Sequence, residues 1–293
     1  MRVAVTGASG MVGTALVQHL RAEGHEVRRV SRRLPTHPSD IQWDPAEGRL
    51  ARADLADLDA VVHLAGANIG TLWTAKNRDR IYRSRIDGTN LLVAALAGAR
   101  SAPVLVTASA IGYYGDRGDE ELTEESRPGD GFLARLCQDW EAAAARATEH
   151  GCRVVQARLG VIQARDAGML VAMRRSALVG PVVRFGHGRR HQSWVALEDV
   201  TRAITFALAT PALAGPLNVT SPNPITNAAY AATLGRIMRR PVIPVPPLLP
   251  RIALPGVADE LLLQSAKVLP RRLLSAGFQF RYPTLDGCLR ALL

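Results

Sequence analysis

The feature that most constrains this chain is a glycine-rich turn near its N-terminus, Thr6-Gly7-Ala8-Ser9-Gly10-Met11-Val12-Gly13. A short apolar run, Val3 to Val5, precedes the turn, and apolar residues at helical spacing follow it from Val12 to Ala22. A second strand is predicted from Glu26 to Val30. The order strand, glycine turn, helix, strand within about thirty residues predicts a βαβ unit, and hence an α/β fold with a doubly wound parallel sheet.

The glycines of the turn have separate physical roles. Gly7 allows a sharp turn out of the strand, Gly10 lets the backbone approach a pyrophosphate, and Gly13 lets the helix pack closely on the sheet. The free N–H groups and the positive dipole end of the helix attract phosphate. A glycine-rich turn of some other α/β protein is the alternative. The predicted cofactor-binding residues of this turn are Gly7, Ser9, Gly10, Met11, Val12 and Gly13.

The end of the second strand predicts which dinucleotide is bound. Ser31, Arg32 and Arg33 follow Val30, where an NAD-binding unit carries an acidic residue for the ribose 2′-hydroxyl. A carboxylate would repel a 2′-phosphate, whereas a guanidinium can bind it with two parallel hydrogen bonds. The sequence therefore predicts NADP(H), with these three residues at its adenosine end. The alternative is a solvated arginine pair with no ligand.

Composition excludes several classes of protein. The net charge of +10 comes almost entirely from arginines spread along 293 residues, with lysine only at positions 76 and 267, so we expect no nucleic-acid partner. Prolines interrupt the longest apolar stretch, 241–257, which argues against a membrane helix. Three cysteines without CxxC spacing predict free thiols, and no metal site is predicted. No apolar leader precedes the first strand, so we expect a cytoplasmic protein.

Further elements are predicted along the rest of the chain. The region 160–200 is rich in glycine and arginine near its end and is expected to line the substrate side. The prolines of 241–255 predict a connector. The remaining predicted strands are 41–43, 59–66, 103–109, 153–158 and 217–219, and the remaining predicted helices are 76–96, 132–149, 226–239 and 259–269.

The Gly-x-x-Gly-x-x-Gly spacing resembles that of the extended short-chain dehydrogenase/reductase superfamily. Together with the other matching stretches, it resembles an atypical branch, the NAD-dependent epimerase/dehydratase-like epimerase family group with a short C-terminal domain of unassigned function. The resemblance covers essentially the whole chain and implies a Rossmann-type sheet, NADP(H) and a small-molecule substrate. The other matching stretches are Ser31-Arg32, Trp73 with Ser84-Arg85, Ala108-Ser109-Ala110, Tyr113-Tyr114-Gly115, Asp139-Trp140-Glu141 and Pro270-Arg271-Arg272.

The resemblance implies further cofactor residues. The loop Leu64-Ala65-Gly66 after the third parallel strand would pass beside the adenine-side ribose and the pyrophosphate. Arg85 replaces the asparagine of the family's Asn-x-x-Gly-Thr motif and would point into the cleft, towards the cofactor or an anionic substrate. Arg80 is a companion candidate. His63 lies inside the strand, and we expect it to be a hydrogen-bonded core histidine.

The catalytic residues of the family are not all present. Active extended reductases use Tyr-x-x-x-Lys on a helix, and here leucine stands four residues before both Lys76 and Lys267. Aligning Glu141 with the glutamate that commonly follows this motif places Ala134 at the tyrosine position and Gln138 at the lysine position. No titrating pair therefore remains on that helix.

The position of the substrate-binding serine depends on the register. Counting back from Tyr114 gives Ala110, and counting back from Tyr113 gives Ser109. The candidate catalytic residues are Ser109 and Tyr113, with Tyr113 or Tyr114 as a substitute proton donor. Aromatic packing is the alternative role for the tyrosines.

Two functions remain open from the sequence. The first is an NADP-dependent oxidoreductase or epimerase that uses a rearranged set of acid–base residues. Its substrate would resemble a nucleotide sugar. The second is a catalytically inactive NADP(H)-binding sensor or interaction protein. We predict an NADP-binding domain at 1–220, with substrate-side insertions around 160–200, and a small α+β substrate-side region at 221–293. The sequence does not predict the oligomeric state.

Overall fold

The computed structural model describes residues 1–35, 37–97, 99 and 102–293. Strands and helices alternate through the first two thirds of the chain, as the βαβ pattern predicts. The strands are β1 Arg2–Thr6, β2 Glu26–Ser31, β3 Ile41–Asp44, β4 Arg49–Leu50, β5 Ala60–His63, β6 Val104–Ala110, β7 Glu121–Leu122, β8 Val154–Leu159, β9 Val161–Gln163, β10 Val182–Phe185, β11 His191–Gln192, β12 Trp194–Ala196, β13 Gly215–Val219, β14 Ile225–Thr226, β15 Val242–Val245 and β16 Lys267–Val268. The helices are α1 Met11–Ala22, α2 Ala75–Leu96, α3 Phe132–Ala145, α4 Gly168–Val179, α5 Leu197–Ala209, α6 Asn227–Met238, α7 Leu248–Ala253, α8 Arg271–Ser275 and α9 Leu285–Leu292.

The central sheet of the described chain has eight strands in the order β4-β3-β2-β1-β5-β6-β8-β13. Its neighbouring strands are parallel except for the edge pair of β3 and β4. Strand β1 lies between β2 and β5, so the order of the strands reverses at β1. This is the doubly wound Rossmann topology, and ligands of such sheets bind beyond the carboxyl ends of the strands at the point of reversal.

Helices cover both faces of the sheet. Leu16 and Leu20 of α1 pack with Ile204 of α5 in one apolar core, and Leu92 and Leu96 of α2 belong to a second core. All four residues of β5 are fully buried. Burial on two faces explains why the parallel strands are nearly continuous apolar runs in the sequence.

The C-terminal residues pair with segments that precede them in the chain. Strand β15 pairs with β10, β14 with β11, and β16 with β7. Thr226 caps α6 by accepting a hydrogen bond from the Ala229 N–H at 3.2 Å. The chain after β13 is therefore joined to earlier segments through short strand pairs. No helix within the described ranges is both long and apolar enough to cross a membrane.

Two predicted elements of this region are wrong. The predicted connector at 241–255 contains β15 and α7, because β10 supplies a strand edge for Val242–Val245. The predicted helix at 259–269 is instead a π-helical turn, Ala258–Leu262, followed by β16. Pairing with Glu121–Leu122 keeps Lys267–Val268 extended, and Pro270 disfavours a helical conformation for the residue before it.

Candidate dinucleotide site

The glycine turn after β1 forms a compact cradle at the start of α1. Gly7 has φ +66°, and a Cβ there would lie 2.8 Å from the Leu64 carbonyl carbon. A Cβ on Gly13 would lie 2.1 Å from the Gly7 carbonyl oxygen, so only glycine fits. Gly10 is exposed, and a Cβ there would meet only the Gly7 oxygen, at 3.3 Å. The cradle thus leaves its open side free of side chains, which fits a diphosphate at the helix N-terminus.

The predicted loop after β5 lies against this turn. Thr6 Oγ1 accepts the Leu64 N–H at 3.1 Å and the Ala65 N–H at 3.2 Å. These bonds fix the exit of β5 beside the exit of β1. The structure therefore brings Leu64, Ala65 and Gly66 together with the glycine turn at the point where the strand order reverses.

The end of β2 presents cationic side chains to solvent. Arg32 and Arg33 are exposed, and the Arg33 N–H donates to Ser31 Oγ at 3.1 Å. The next acidic residue, Asp40, has a nearly buried side chain and is bound by Arg29 through two hydrogen bonds of 3.1 and 2.6 Å. An oxyanion at the end of β2 would therefore meet guanidinium groups.

Arg85 lies at the carboxyl end of β5. Its Nη1 donates to the carbonyl oxygens of Ala67 at 3.2 Å and Ile81 at 3.1 Å. A Cβ on Gly66 would lie 3.1 Å from the guanidinium carbon, which is itself 5.1 Å from the Trp140 ring centroid. Burial lowers the pKa of Arg85. Arg85 thus reaches the predicted cofactor loop, whereas Arg80 is exposed on α2 and is not part of this cluster.

His63 is a fully buried core residue. Its Nδ1 lies 2.7 Å from Thr6 Oγ1, and its Nε2 lies 3.1 Å from Thr89 Oγ1. Because Thr6 Oγ1 already accepts two backbone N–H groups, its own proton points to Nδ1, and Nε2 carries the imidazole proton. Burial, with a smaller contribution from the charge of Arg85, lowers the pKa of His63 to about 4. The imidazole is therefore neutral and structural.

A buried polar network underlies the carboxyl end of β6. The Ser109 hydroxyl donates to Glu141 Oε1 at 2.6 Å, and Arg158 binds the same carboxylate through Nε at 2.8 Å and Nη2 at 2.7 Å. Arg158 Nη1 donates to the Tyr114 hydroxyl at 2.9 Å, which donates to Asn218 Oδ1 at 2.7 Å. Burial raises the pKa of Tyr114 to about 12.

The network bears on the predicted role of Ser109. The residue is 3% exposed, and its hydroxyl points into the interior. This geometry favours a role for Ser109 in holding the Glu141 carboxylate rather than in contacting a substrate. Tyr114 is fully buried, and the residue after it, Gly115, has a left-handed backbone with φ +64°.

Helix α3 turns one face towards the end of β6. Leu133 lies 3.2 Å from the Cβ position of Gly112, and Glu141 bonds to Ser109, so the helix face towards β6 carries Leu133, Cys137 and Glu141. Ala134 and Gln138 lie on the adjacent face, where Gln138 Nε2 donates to the Ala134 carbonyl at 3.1 Å.

Cys137 lies on this face one helical turn before Glu141. Burial, with the charge of Glu141, raises the pKa of Cys137 to about 11. The thiol is therefore protonated at neutral pH and does not replace the ammonium group of a lysine.

Tyr113 follows the carboxyl end of β6 and stacks on a cation. Its half-buried ring lies 3.5 Å from the Arg158 guanidinium carbon. The sequence alone does not place this cation near the tyrosine, because Arg158 is distant in the chain and lies within a strand. The only available signal was a charged residue inside the apolar run Val154–Leu159.

The fold and the glycine cradle define a Rossmann protein of the dinucleotide-binding class. The chain belongs to the NAD dependent epimerase/dehydratase family, whose model matches residues 3–219, and a domain of unknown function, DUF1731, matches residues 245–292. This is the epimerase family group that the sequence motifs resemble.

Known proteins support this assignment along the whole chain. The epimerase family protein MT2273 of Mycobacterium tuberculosis is 43% identical over 98% of this chain and 96% of its own length. The human epimerase family protein SDR39U1, solved with NADPH, has a TM-score of 0.88 at 34% identity, covering 100% of this chain and 99% of its own. UDP-N-acetylglucosamine 4-epimerase from Bacillus cereus has a TM-score of 0.79 at 17% identity, covering 100% of this chain and 98% of its own, and shares the fold.

Proposed function

We propose that this chain binds NADP(H) and is an oxidoreductase or epimerase that acts on a small molecule resembling a nucleotide sugar. The diphosphate would lie on the N–H groups of the Gly7–Gly13 cradle. Ser31, Arg32 and Arg33 would bind the adenosine phosphate, and the loop Leu64–Gly66 with Arg85 would face the rest of the cofactor. When bound, the nicotinamide supplies or accepts the hydride.

The observation that carries the cofactor proposal is the exposed Arg32 at the end of β2, where NAD-binding units carry an acidic residue. A guanidinium there favours a 2′-phosphate through charge-assisted hydrogen bonds. The human relative solved with NADPH supports the same choice. The more distant relative MoeE5, solved with NAD, shares only the fold at 21% identity.

The test is a reversal of charge at this position. Arg32→Glu should weaken NADPH binding at least tenfold more than NADH binding in titration calorimetry, because a carboxylate repels the 2′-phosphate alone. Arg49→Glu, on an exposed arginine of the edge strand β4, is the matched control and should leave both affinities unchanged. Equal loss of NADPH and NADH affinity in Arg32→Glu would contradict the proposed contact.

For catalysis we propose Tyr113 as the proton donor. Its ring lies at the carboxyl end of β6 beside the expected substrate, and Arg158 supplies the neighbouring positive charge. Ser109 would act indirectly, by holding Glu141 and thereby Arg158. We propose that residues 1–220 hold the cofactor and that residues 221–293 help to enclose the substrate.

A second candidate function is NADP(H) sensing without hydride transfer. The face of α3 towards β6 favours it, because Leu133 and Cys137 provide neither a phenol nor a cation there. Incubating the NADPH complex with nucleotide sugars, aldehydes and ketones separates the two functions. A fall in NADPH absorbance with any substrate supports the enzyme. An epimerase restores its cofactor in every turnover, so the sugars are also separated and identified after incubation with the NADP⁺ and NADPH complexes. Unchanged absorbance together with unchanged sugars, despite micromolar NADPH affinity, supports the sensor.

A further inference from the structure

Residues 246–264, between strands β15 and β16, are attached to the rest of the protein mainly at their two ends. At one end β15 pairs with β10. At the other end the Ser265 N–H donates to Asp116 Oδ1 at 3.2 Å, and the Ser265 carbonyl accepts the Arg117 N–H at 2.8 Å. Within the described chain, the hydrogen bonds that join 246–264 to residues outside this segment are both made by the side chain of Glu260.

The Glu260 carboxylate binds the first turn of α3 with both oxygens. Oε1 accepts the Phe132 N–H at 3.0 Å, and Oε2 accepts the Leu133 N–H at 2.7 Å. Helix α3 has no side-chain cap of its own, because the residue before it is Gly131. A carboxylate at this end satisfies free N–H groups and interacts favourably with the helix dipole. A residue of the C-terminal region therefore supplies the cap that the local sequence of α3 lacks.

Gly131 provides the backbone and the space for this contact. Its φ is +105°, a conformation that favours glycine, and a Cβ there would lie 3.0 Å from Glu260 Cδ. A side chain at position 131 would displace the carboxylate. The start of α3 is therefore shaped to receive Glu260.

The same segment also contacts the loop 67–74, which follows the predicted cofactor loop. Leu261 belongs to one apolar cluster with Trp73 and Phe132, and a Cβ on Gly256 would lie 3.8 Å from the Trp73 ring. Loop 67–74 follows β5, and α3 begins after β6, so both lie at the carboxyl-end side of the sheet, where ligands of this fold bind. The segment therefore bridges two elements that border the expected binding cleft.

The middle of the segment buries little apolar surface. Leu248, Leu249 and Ile252 of α7 are 63%, 57% and 68% exposed. A segment with few buried contacts and few hydrogen bonds to its surroundings opens locally at a low cost in free energy. The two hydrogen bonds of Glu260 therefore contribute a large share of what holds the segment against α3.

We propose that residues 246–264 form a lid over the carboxyl-end cleft and that Glu260 is its latch. With the latch closed, the lid bridges α3 and loop 67–74 and shields bound ligands from water. With the latch open, α3 loses its cap, and ligands can enter or leave. This role falls to the domain of unknown function, which matches residues 245–292. The gating of NADPH rests on the proposed function, whereas the latch does not.

Hydrogen–deuterium exchange of the full-length protein, read by mass spectrometry, measures the opening of the lid. Glu260→Ala should raise the exchange rate of the amides in 248–263 at least about tenfold, because the opening then costs less free energy. The amides of β5 should keep the wild-type rate, because the latch acts locally. Asp259→Ala is the matched control: its exposed side chain pairs with Arg251 inside the lid, and it should change neither rate.

The same variants test the gating of the cofactor. NADPH dissociation, followed by stopped-flow fluorescence, should be at least about tenfold faster in Glu260→Ala than in the wild type and unchanged in Asp259→Ala. Faster exchange of the lid with an unchanged dissociation rate would overturn the gating. Absence of NADPH binding by the wild-type protein would instead refute the proposed function, and the exchange measurement would still decide the latch.

Two results of the exchange experiment would overturn the latch. The first is wild-type exchange of 248–263 in Glu260→Ala. The second is equal acceleration in the lid and in β5, which would show that Glu260 only stabilises the whole fold. If Glu260→Ala fails to fold, Glu260→Gln, which keeps one acceptor oxygen, should still raise the exchange of the lid at least about threefold. An unchanged rate in that variant would likewise overturn the latch.

Discussion

Arg158 of β8 and Glu141 of α3 form a two-point ion pair in the interior, with Nε–Oε1 and Nη2–Oε2 distances of 2.8 and 2.7 Å. Their side chains are 2% and 10% exposed. The pair fixes the helix against the sheet, and the guanidinium also supports the rings of Tyr113 and Tyr114. The position of the candidate proton donor therefore depends on a buried charge pair.

Removing the charge of Glu141 should destabilise the fold strongly. Glu141→Gln leaves the Arg158 guanidinium buried without its counter-ion, and breaking a buried pair in this way costs about 3–5 kcal/mol. The free energy of unfolding from urea denaturation measures the loss. The exposed pair of Asp79 and Arg83 provides the control, because Asp79→Asn should cost about 0.5 kcal/mol or less. Comparable losses in the two variants would show that Arg158 is solvated.

Protonation of His63 should make stability depend on pH. The folded protein holds its pKa at about 4, against an ordinary value of 6.5. As the pH falls below 6.5, the unfolded chain binds a proton that the folded protein does not. The contribution of neutral His63 to stability is therefore fully present above about pH 6.5 and is lost as the pH falls to about 4. The full loss from this residue is about 3 kcal/mol.

The measurement is the free energy of unfolding at several pH values between 7 and 4. In His63→Gln the slope in this range should fall by about one proton per molecule relative to the wild type. The amide can still bond to Thr6 and Thr89. His150→Gln, on an exposed histidine after α3, should retain the wild-type slope. An unchanged slope in His63→Gln would mean that His63 is protonated in the folded protein.

The sequence predicted the parts of the fold that local patterns determine. Strand β1, helix α1 and strand β2 follow from apolar spacing and glycines within one βαβ unit, and their observed bounds lie within one residue of the predicted ones. The family resemblance extended the prediction from this βαβ unit to the whole sheet. Predicting His63 as a core histidine needed only its place in an apolar strand.

Features that depend on distant contacts could not be read from the sequence. The face of α3 that points towards β6 is marked by the bond between Ser109 and Glu141, 32 residues apart, which no local pattern predicts. Arg158 is linked to Tyr114 across 44 residues. The C-terminal strands β15 and β16 exist because earlier segments offer them edges. The prolines around β15 suggested a connector, and the stretch that contains β16 was predicted as a helix.

Alanine at Gly10 and at Gly13 should have opposite consequences. In Gly10→Ala the Cβ would lie 3.3 Å from the Gly7 oxygen and on the side open to the cofactor, so we expect a folded protein with at least tenfold weaker NADPH binding. In Gly13→Ala the Cβ would lie 2.1 Å from that oxygen, which should cost about 3 kcal/mol of stability. Thermal denaturation and calorimetric titration give both quantities. Wild-type NADPH affinity in Gly10→Ala would contradict the predicted path of the diphosphate.

Arg85 and Arg32 should bind different parts of the cofactor, so their substitution should change the NADPH and NADH affinities differently. Arg85 lies against Gly66 at the point where the strand order reverses, away from the end of β2. Arg85→Gln should therefore weaken NADPH and NADH by similar factors of about ten, in line with the loss of a charged hydrogen bond. Arg83→Gln, on an exposed arginine of the same helix, is the control and should change neither affinity. A selective loss of NADPH in Arg85→Gln would place the 2′-phosphate near α2.

The two adjacent tyrosines allow the catalytic role to be separated from the structural one. The Tyr114 hydroxyl bonds to Arg158 and Asn218 in the interior, so Tyr114→Phe should lower the free energy of unfolding by about 1–3 kcal/mol. Tyr113→Phe keeps the ring on Arg158 and should leave stability within about 0.5 kcal/mol of the wild type, because such substitutions away from buried contacts cost little. With a substrate found in the NADPH assay, Tyr113→Phe should lower kcat at least a hundredfold, the usual size of a general acid's contribution. An unchanged kcat in Tyr113→Phe would show that another group or a water molecule supplies the proton, and that the stacked ring has only a packing role.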